Sequence, residues 1–321
     1  MTPVVAAHPE QALAVTVSAD ALWVAPHASF WIASSTNAVV LHVFAQAAYL
    51  KNELDDVLAL TTDSLGPGPL SLTLSGLEAP LDRLLDAGER VLVEPSSLRT
   101  PRFQIDLAGA RPWKARPPWA SLRRRAARLL ALRPHLTRTT LEAAPAGSLA
   151  ELLQGAPAST SVGMLADLAL NAAMSAWLML EETLRRLPKD SQREAEVPHL
   201  RSAAARLAGL GSGFTPAGDD FLLGVVYALW STRPESQAER VARIIAAAAA
   251  PRTTTVSGAW LWAGARGEAS AAWHTLVEML SSGGAEAVTS AIARLARIGH
   301  TSGADALTGY VLGLGALLEG V

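Results

Sequence analysis

The chain changes period at one place. Ahead of Arg111-Pro112-Trp113-Lys114-Ala115-Arg116-Pro117-Pro118, apolar residues come in short runs or alternate with polar ones. Beyond it, alanine and leucine recur at helical spacing. A period of two belongs to a strand with one buried face and a period near 3.6 to a helix, so the two parts cannot share one architecture. The runs at 14–17, 29–32, 39–43, 70–74, 91–93 and 103–107 read as strands, with Gly66-Pro67-Gly68-Pro69 as turn material between them. A short helix near Leu81 to Ala87 interrupts them. Past Trp119 the candidate helices are 120–132, 149–153, 161–186, 199–207, 216–231, 238–250, 255–265, 269–281, 286–297 and 302–319. Many are apolar nearly all round, as helices inside a compact α domain are. The expected class is α+β: an N-terminal antiparallel β sheet or small barrel (1–110), a Pro-rich basic linker (111–118) and a larger, mostly α-helical domain (119–321).

Composition narrows the chemistry. With 27 Lys+Arg against 29 Asp+Glu, a nucleic-acid or membrane-surface protein is not expected. There is no cysteine, so disulfides, thiol catalysis and zinc–thiolate sites are excluded. The first twenty residues carry no Lys or Arg, as a secretory leader would, and no apolar run reaches the ~20 residues of a membrane helix. The expectation is a soluble, cytoplasmic protein.

The linker opens a basic block. No acid occurs between Asp106 and Glu142, while Arg111, Lys114, Arg116, Arg123, Arg124, Arg125, Arg128, Arg133 and Arg138 do. An anion site and a solvated helix face both explain it.

The stretch GLGSGFTPAGDDF, from Gly209 to Phe221, is neither a P-loop nor a dinucleotide fingerprint. Asp219 follows Gly218 where a P-loop has lysine, and Pro216 stands at the third glycine of G-x-G-x-x-G. Thr215 as cap, Pro216 at the first helical position and Asp219 and Asp220 in the first turn are explained by helix-start chemistry alone. Gly209, Gly211, Gly213 and Gly218 are not. Free N–H groups of Gly211, Ser212 and Gly213 at such a turn suit an anion.

The stretch Gly299 to Gly309 echoes the first. Gly213 aligns with Gly299, Thr215 with Thr301, Gly218 with Gly303, Asp220 with Asp305 and Gly224 with Gly309, which suggests an internal duplication whose loops face one pocket. Ser302 and Asp305 also have capping-box spacing. Between the copies, Arg252 and Arg266 offer forked donors to a carboxylate or phosphate, and Thr254 and Thr255 offer hydroxyls or a cap. Arg266 with Glu268 also reads as a helix-end ion pair. His300, inside the second loop, is a candidate proton donor or oxyanion ligand, and equally a structural histidine.

GLGSGFTPAGDDFLLG, TTTVSGAWLWAGARGE and GHTSGADALTGYVLG, in this order and spacing, resemble a bacterial domain-of-unknown-function family encoded beside FdrA-like proteins and a second subunit. One such trio is implicated in allantoin degradation as oxamate carbamoyltransferase. The resemblance covers about Arg206 onward, and Phe214 stands where the family commonly has leucine. It implies a subunit of a carbamoyl-transferring complex, moving a carbamoyl group between a ureido acid such as oxalurate and phosphate. It implies an FdrA-like partner, a second subunit, and small anionic substrates (phosphate, carbamoyl phosphate, oxamate). It carries over no residue roles; from the residues themselves, Gly211, Ser212, Gly213, Thr215, Gly218, Arg252, Thr254, Thr255, Arg266, Thr301 and Ser302 are the expected substrate-binding residues, and Asp220, Asp305 and His300 the expected catalytic ones. Asp219 and Asp220 orient donors or hold Mg²⁺. Bare carboxylates repel an anion, so a metal, a proton or a turned-away side chain must intervene. The competing readings are a scaffold subunit and a stand-alone metal-assisted hydrolase.

Overall fold

A computed structural model describes residues 17–155, 164–187 and 197–319. The chain forms two compact units. One is the chain to Pro67 with Ser71–Trp113; the other is Lys114–Val321 with Gly68–Leu70.

The first unit is a closed, mixed barrel. Its strands are β1 (Val17–Val24), β2 (Asn37–Val43), β3 (Ala47–Asn52), β4 (Val57–Thr62), β5 (Ser71–Ser75), β6 (Arg90–Glu94), β7 (Ser97–Arg99) and β8 (Phe103–Asp106). The two-residue β9 (Arg111–Pro112) adds to the end of β1. The order β5-β4-β3-β2-β6-β7-β8-β1 closes through a β1–β5 pairing. The expected small barrel is therefore present, but it is not wholly antiparallel. Residues 63–70 return the chain, so β5 runs parallel to β4. Strand direction must be restored on going once round a ring, and the parallel β1–β8 pair restores it.

The barrel is filled by its own alternating side chains, including Val40, Leu50, Leu60, Leu72, Leu74, Val91, Phe103 and Ile105, all buried. A void of about 10 Å³ among Leu50, Leu60, Val91, Phe103 and Ile105 is at the lower limit for one water, so these side chains pack as core. The run at 29–32 is not a strand. It lies in helix α1 (Pro26–Ser34), where Pro26 sits in the first turn and Ala28 and Trp31, three apart, are buried while Phe30 is 67% exposed. Strands β3, β4 and β7 are not among the expected runs, the run at 14–17 meets β1 only at Val17, and residues 14–16 lie outside the described residues. The short helix α2 (Leu81–Leu84) is where the sequence placed one.

The second unit is helical: α3 (Trp119–Arg123), α4 (Ala126–Ala143), a 3₁₀ turn (Leu149–Gln154), α5 (Met164–Arg185), α6 (Val197–Leu207), α7 (Ala217–Thr232), α8 (Glu235–Ala249), α9 (Thr255–Ala265), α10 (Ala271–Ser282), α11 (Ala285–Ala296) and α12 (Ser302–Leu318). Residues 161–163 of one expected helix lie outside the described residues. Helices α7 and α12 form the centre, and nearly every residue of each is buried. α3, α6, α8 and α9 pack on α7; α4, α5, α11 and the 3₁₀ turn pack on α12.

The two central helices meet through glycine. A Cβ on Gly224 would overlap the Ala306 carbonyl oxygen, and one on Gly309 would overlap that of Phe221. Backbone-to-backbone contact of this kind admits no side chain. The two contacts are reciprocal: Gly224 aligns with Gly309, and Phe221 with Ala306. A second matched pair lies one turn and a half earlier. Gly218 abuts the Leu207 carbonyl at the end of α6, and Gly303 abuts the Leu295 carbonyl at the end of α11. The α6–α7 and α11–α12 hairpins are thus two copies of one packing unit, as an internal duplication predicts.

Candidate functional site

The pairing of α7 with α12 sets their N-terminal loops side by side. Thr215 Oγ1 and Ser302 Oγ are 2.9 Å apart, across the two loops. This replaces the capping expected from sequence. Pro216, not Thr215, occupies the N-cap of α7, and neither it nor Thr301 at the N-cap of α12 makes a side-chain cap bond. The threonine hydroxyl is thereby released from helix-start duty and points to the other loop.

The first loop is held from below. Asp219 is 2% exposed; its Oδ1 accepts from the Gly209 N–H at 3.0 Å and its Oδ2 from the Thr253 hydroxyl. Burial raises its pKa, and those two bonds oppose the rise. Thr254 caps α9 by accepting from the Ser257 N–H at 3.1 Å, and donates to the Phe214 carbonyl at 3.1 Å. Gly209, Gly211 and Gly213 have φ of 70°, 105° and 116°, which L side chains rarely adopt. Gly211, Ser212 and Gly213 are exposed, and among the described residues their N–H groups have no acceptor. A pinned turn presenting free amides beside a helix N-terminus suits an oxyanion.

Beneath the loops lie Asp220 and Asp305. Asp305 is fully buried, and its Oδ1 accepts from the Leu149 N–H at 2.6 Å, at the start of the 3₁₀ turn. The Oδ2 atoms of both aspartates are buried without a hydrogen-bond partner. Burial drives the Asp220 pKa well above the carboxylate range; Ser302 and Thr215 oppose this, and nearby Asp305 and Asp219 add to it. Burial pushes Asp305 up to about 6, against the Leu149 N–H, Thr301 and His300. His300 is exposed at the rim and Thr301 half-buried beside it.

The remaining expected residues divide. Arg252 lies beside the first loop: its carbonyl oxygen would be 2.7 Å from a Cβ on Gly209, while Nη1 donates to the Ala248 carbonyl at 3.0 Å. Thr255 is exposed at the start of α9. Arg266 is at the far end of that helix, about 16 Å from its start, and pairs with Glu268 at 2.8 Å. It is the helix-end ion pair, away from the loops. In the expected Asp219–Asp220 cation site, both Asp219 oxygens accept from protein donors. Among the described residues no group of three His, Cys, Asp or Glu is placed to hold a metal ion. Two contributors have no side-chain signal in the sequence reading: the Leu149 N–H, a backbone group far along the chain, and Thr253, hidden in a run of three threonines.

The basic block is largely structural. Arg123 donates to the Trp230 carbonyl, Arg128 to those of Leu280 and Gly283, and Arg133 pairs with Glu319. Arg124 and Arg125 line a surface cleft of about 290 Å³ with Pro118, Ser121, Glu278, Ser281 and Ser282. It lies at the N-terminal end of α4, whereas the chain reaches Asp305 through Leu149, beyond the C-terminal end of that helix. An 18-residue helix is about 27 Å long, so this cleft is not at the paired loops.

Fold and site together define a helical unit whose paired loops carry exposed amides and hydroxyls above a half-buried Asp220 and a fully buried Asp305. The family model described as "Oxamate carbamoyltransferase subunit AllH" matches residues 207–314. That span runs from the last residue of α6 into α12 and holds both loops. No curated protein and no solved structure matches the chain. No helix among the described residues is long and apolar enough to cross a membrane.

Proposed function

We propose that this chain is a subunit of an oxamate carbamoyltransferase-like complex, moving a carbamoyl group between a ureido acid such as oxalurate and phosphate. The observation that carries the reading is the meeting of the two loops, Thr215 against Ser302, above Asp220 and Asp305, within the span that resembles that family. The loop amides of Gly211 to Gly213 hold the phosphate or carboxylate. Thr215, Ser302 and Thr301 orient it, with Arg252 and His300 at the edge of the loops. Asp220 and Asp305 serve the proton transfers of the step. With Arg266 paired elsewhere, positive charge at the loops is sparse. That supports a site completed by partner subunits, an FdrA-like protein and a second neighbouring one, over a stand-alone hydrolase.

The test is reconstitution. The chain with both partners is expected to cleave oxalurate in a phosphate-dependent way, and partners without it are expected to be inactive. Equal activity without this chain would overturn the reading. A scaffold subunit is separated from a site-bearing one by calorimetry: the isolated chain should bind phosphate or oxamate if it owns the loops' site.

A further inference from the structure

The basic block spends most of its charge inside the helical unit. Arg123 and Arg128 end on carbonyls, Arg133 on Glu319 and Arg116 on Glu235 at 3.0 Å, and Arg138 lies 3.9 Å from Glu142. Arg124 and Arg125 are the exception. Both are exposed and both line the cleft of about 290 Å³. Among the described residues neither guanidinium has a carboxylate or carbonyl acceptor.

The other wall of the cleft is the C-terminal turn of α10. Glu278, Ser281 and Ser282 stand at i, i+3 and i+4, so they share one side of that helix. Arg128 fixes this turn against α4, donating to the Leu280 and Gly283 carbonyls. The Ser281 hydroxyl donates to the Val277 carbonyl at 2.7 Å, and the Ser282 hydroxyl to that of Glu278 at 3.2 Å. With those protons used, the serine oxygens keep only lone pairs to offer. Glu278 is exposed and, among the described residues, closes on neither arginine. One wall therefore brings two guanidinium groups, and the other a carboxylate and two hydroxyl oxygens. Both sets stay open to a third group.

A ligand has to match both walls. Guanidinium receives a carboxylate through two parallel N–H···O bonds. Glu278 and the serine oxygens call for N–H donors. The lining side chains carry two positive charges against one negative, which a ligand of net charge −1 balances. Inorganic phosphate brings up to two charges and few donors, and an amino-acid zwitterion brings donors without net charge. A monocarboxylate with neutral amide N–H groups meets every condition. A volume of about 290 Å³ is at the small end of ligand sites, which suits such a molecule.

We propose that this cleft is a second small-molecule site, taking a monocarboxylate that bears amide or ureido N–H groups. The carboxylate sits on Arg124 and Arg125, and the N–H groups on Glu278, Ser281 and Ser282. The claim does not rest on the carbamoyl-transfer reading, since the cleft is at the end of α4 away from the paired loops. Oxamate and oxalurate belong to the ligand class.

The test is calorimetry of the full-length chain with oxamate, and with acetate and inorganic phosphate as probes without amide donors. The variants are R124A/R125A and E278A. All three side chains are exposed and unpaired, so thermal unfolding should not change. Wild type should bind oxamate more tightly than acetate, and R124A/R125A should weaken the cleft's oxamate binding at least about tenfold. E278A decides by sign: it should weaken oxamate about fivefold and tighten phosphate, which Glu278 repels. Tighter oxamate binding in E278A, or acetate equal to oxamate, would make the cleft a plain anion patch and overturn the proposal. So would R124A/R125A that keeps its oxamate sites and loses only association with the partner subunits, which assigns the cleft to protein docking. The number of oxamate sites separates this claim from the loops. Two sites in wild type and one in R124A/R125A support both. A single site abolished by R124A/R125A sustains the cleft and leaves this chain without the loops' site; a single site untouched by it does the reverse.

Discussion

In the α6–α7 hairpin, Asp220 stands four residues before Gly224; in the α11–α12 hairpin, Asp305 stands four before Gly309. Both glycines meet the opposite helix backbone, and both helices begin under a loop. The first loop carries three left-handed glycines and is tied down by Asp219, Thr253 and Thr254. The second has one, Gly299, and places His300 at its rim. Among the described residues, only the second hairpin's aspartate receives a backbone N–H from outside the repeat. One packing unit used twice supplies the symmetry, and the turn at Leu149 breaks it. The lesson is that a duplicated scaffold can hold two like carboxyls and still give them different surroundings.

The comparison is broken most severely at the crossing. Gly224→Ala and Gly309→Ala each drive a methyl into a backbone carbonyl that cannot rotate away. Each should cost at least about 3 kcal/mol, and the two should be alike within error. Thermal or urea unfolding checks this, and a large disparity between them would mean the contacts are not equivalent.

A slightly smaller effect separates the aspartates by pH. Asp305 has a folded pKa of about 6 against an ordinary 3.8. Below 3.8 both states are protonated and nothing is lost. Between the two values the unfolded chain ionises while the folded one keeps its proton, so stability falls as pH rises. Above 6 the loss is complete, on the order of 3 kcal/mol. Asp305→Asn should remove that fall and be the more stable protein at pH 7, by up to the same amount. Urea midpoints from pH 4 to 7 measure it, and parallel curves for the two proteins would refute it.

Asp220→Asn should leave the fold intact and lower turnover of the assembled complex at least tenfold, about 1.4 kcal/mol of transition-state stabilisation. Unchanged turnover would remove Asp220 from the site. A double-mutant cycle on Thr215→Val and Ser302→Ala should show about 0.5–1.5 kcal/mol of coupling, the strength of the bond between the loops. Arg266→Ala should change stability by less than about 1 kcal/mol and turnover by less than about twofold, as an exposed pair far from the loops does. A large activity loss there would reopen its role as an anion ligand.

Part of this architecture is legible in the residues alone. The change of period at the linker separates a β part from a helical one, and the spacing of Gly218, Asp220 and Gly224 against Gly303, Asp305 and Gly309 gives the repeat. The strands at 47–52 and 57–62 are not legible. Leu58 and Leu60 face the barrel interior, and the residues between them are buried too, so no polar alternation marks the strand. The α1 segment reads as a strand because Phe-Trp-Ile has strand propensity, whereas Pro26 and the spacing of Ala28 and Trp31 decide for helix. Thr215 followed by Pro216 looks like a cap in any sequence; only the neighbouring Ser302 makes it a bridge.

The sequence by itself determined the division into a β part and a helical part, the repeat and the residue types at the loops, because these depend on side-chain period, glycine and local capping chemistry. The tertiary structure alone decided which loops meet, that Arg266 is elsewhere, and that Asp220 and Asp305 differ. Those outcomes depend on which donors replace water around a buried charge. The deciding donor is the Leu149 N–H, 156 residues away along the chain and identical in kind to every other backbone amide.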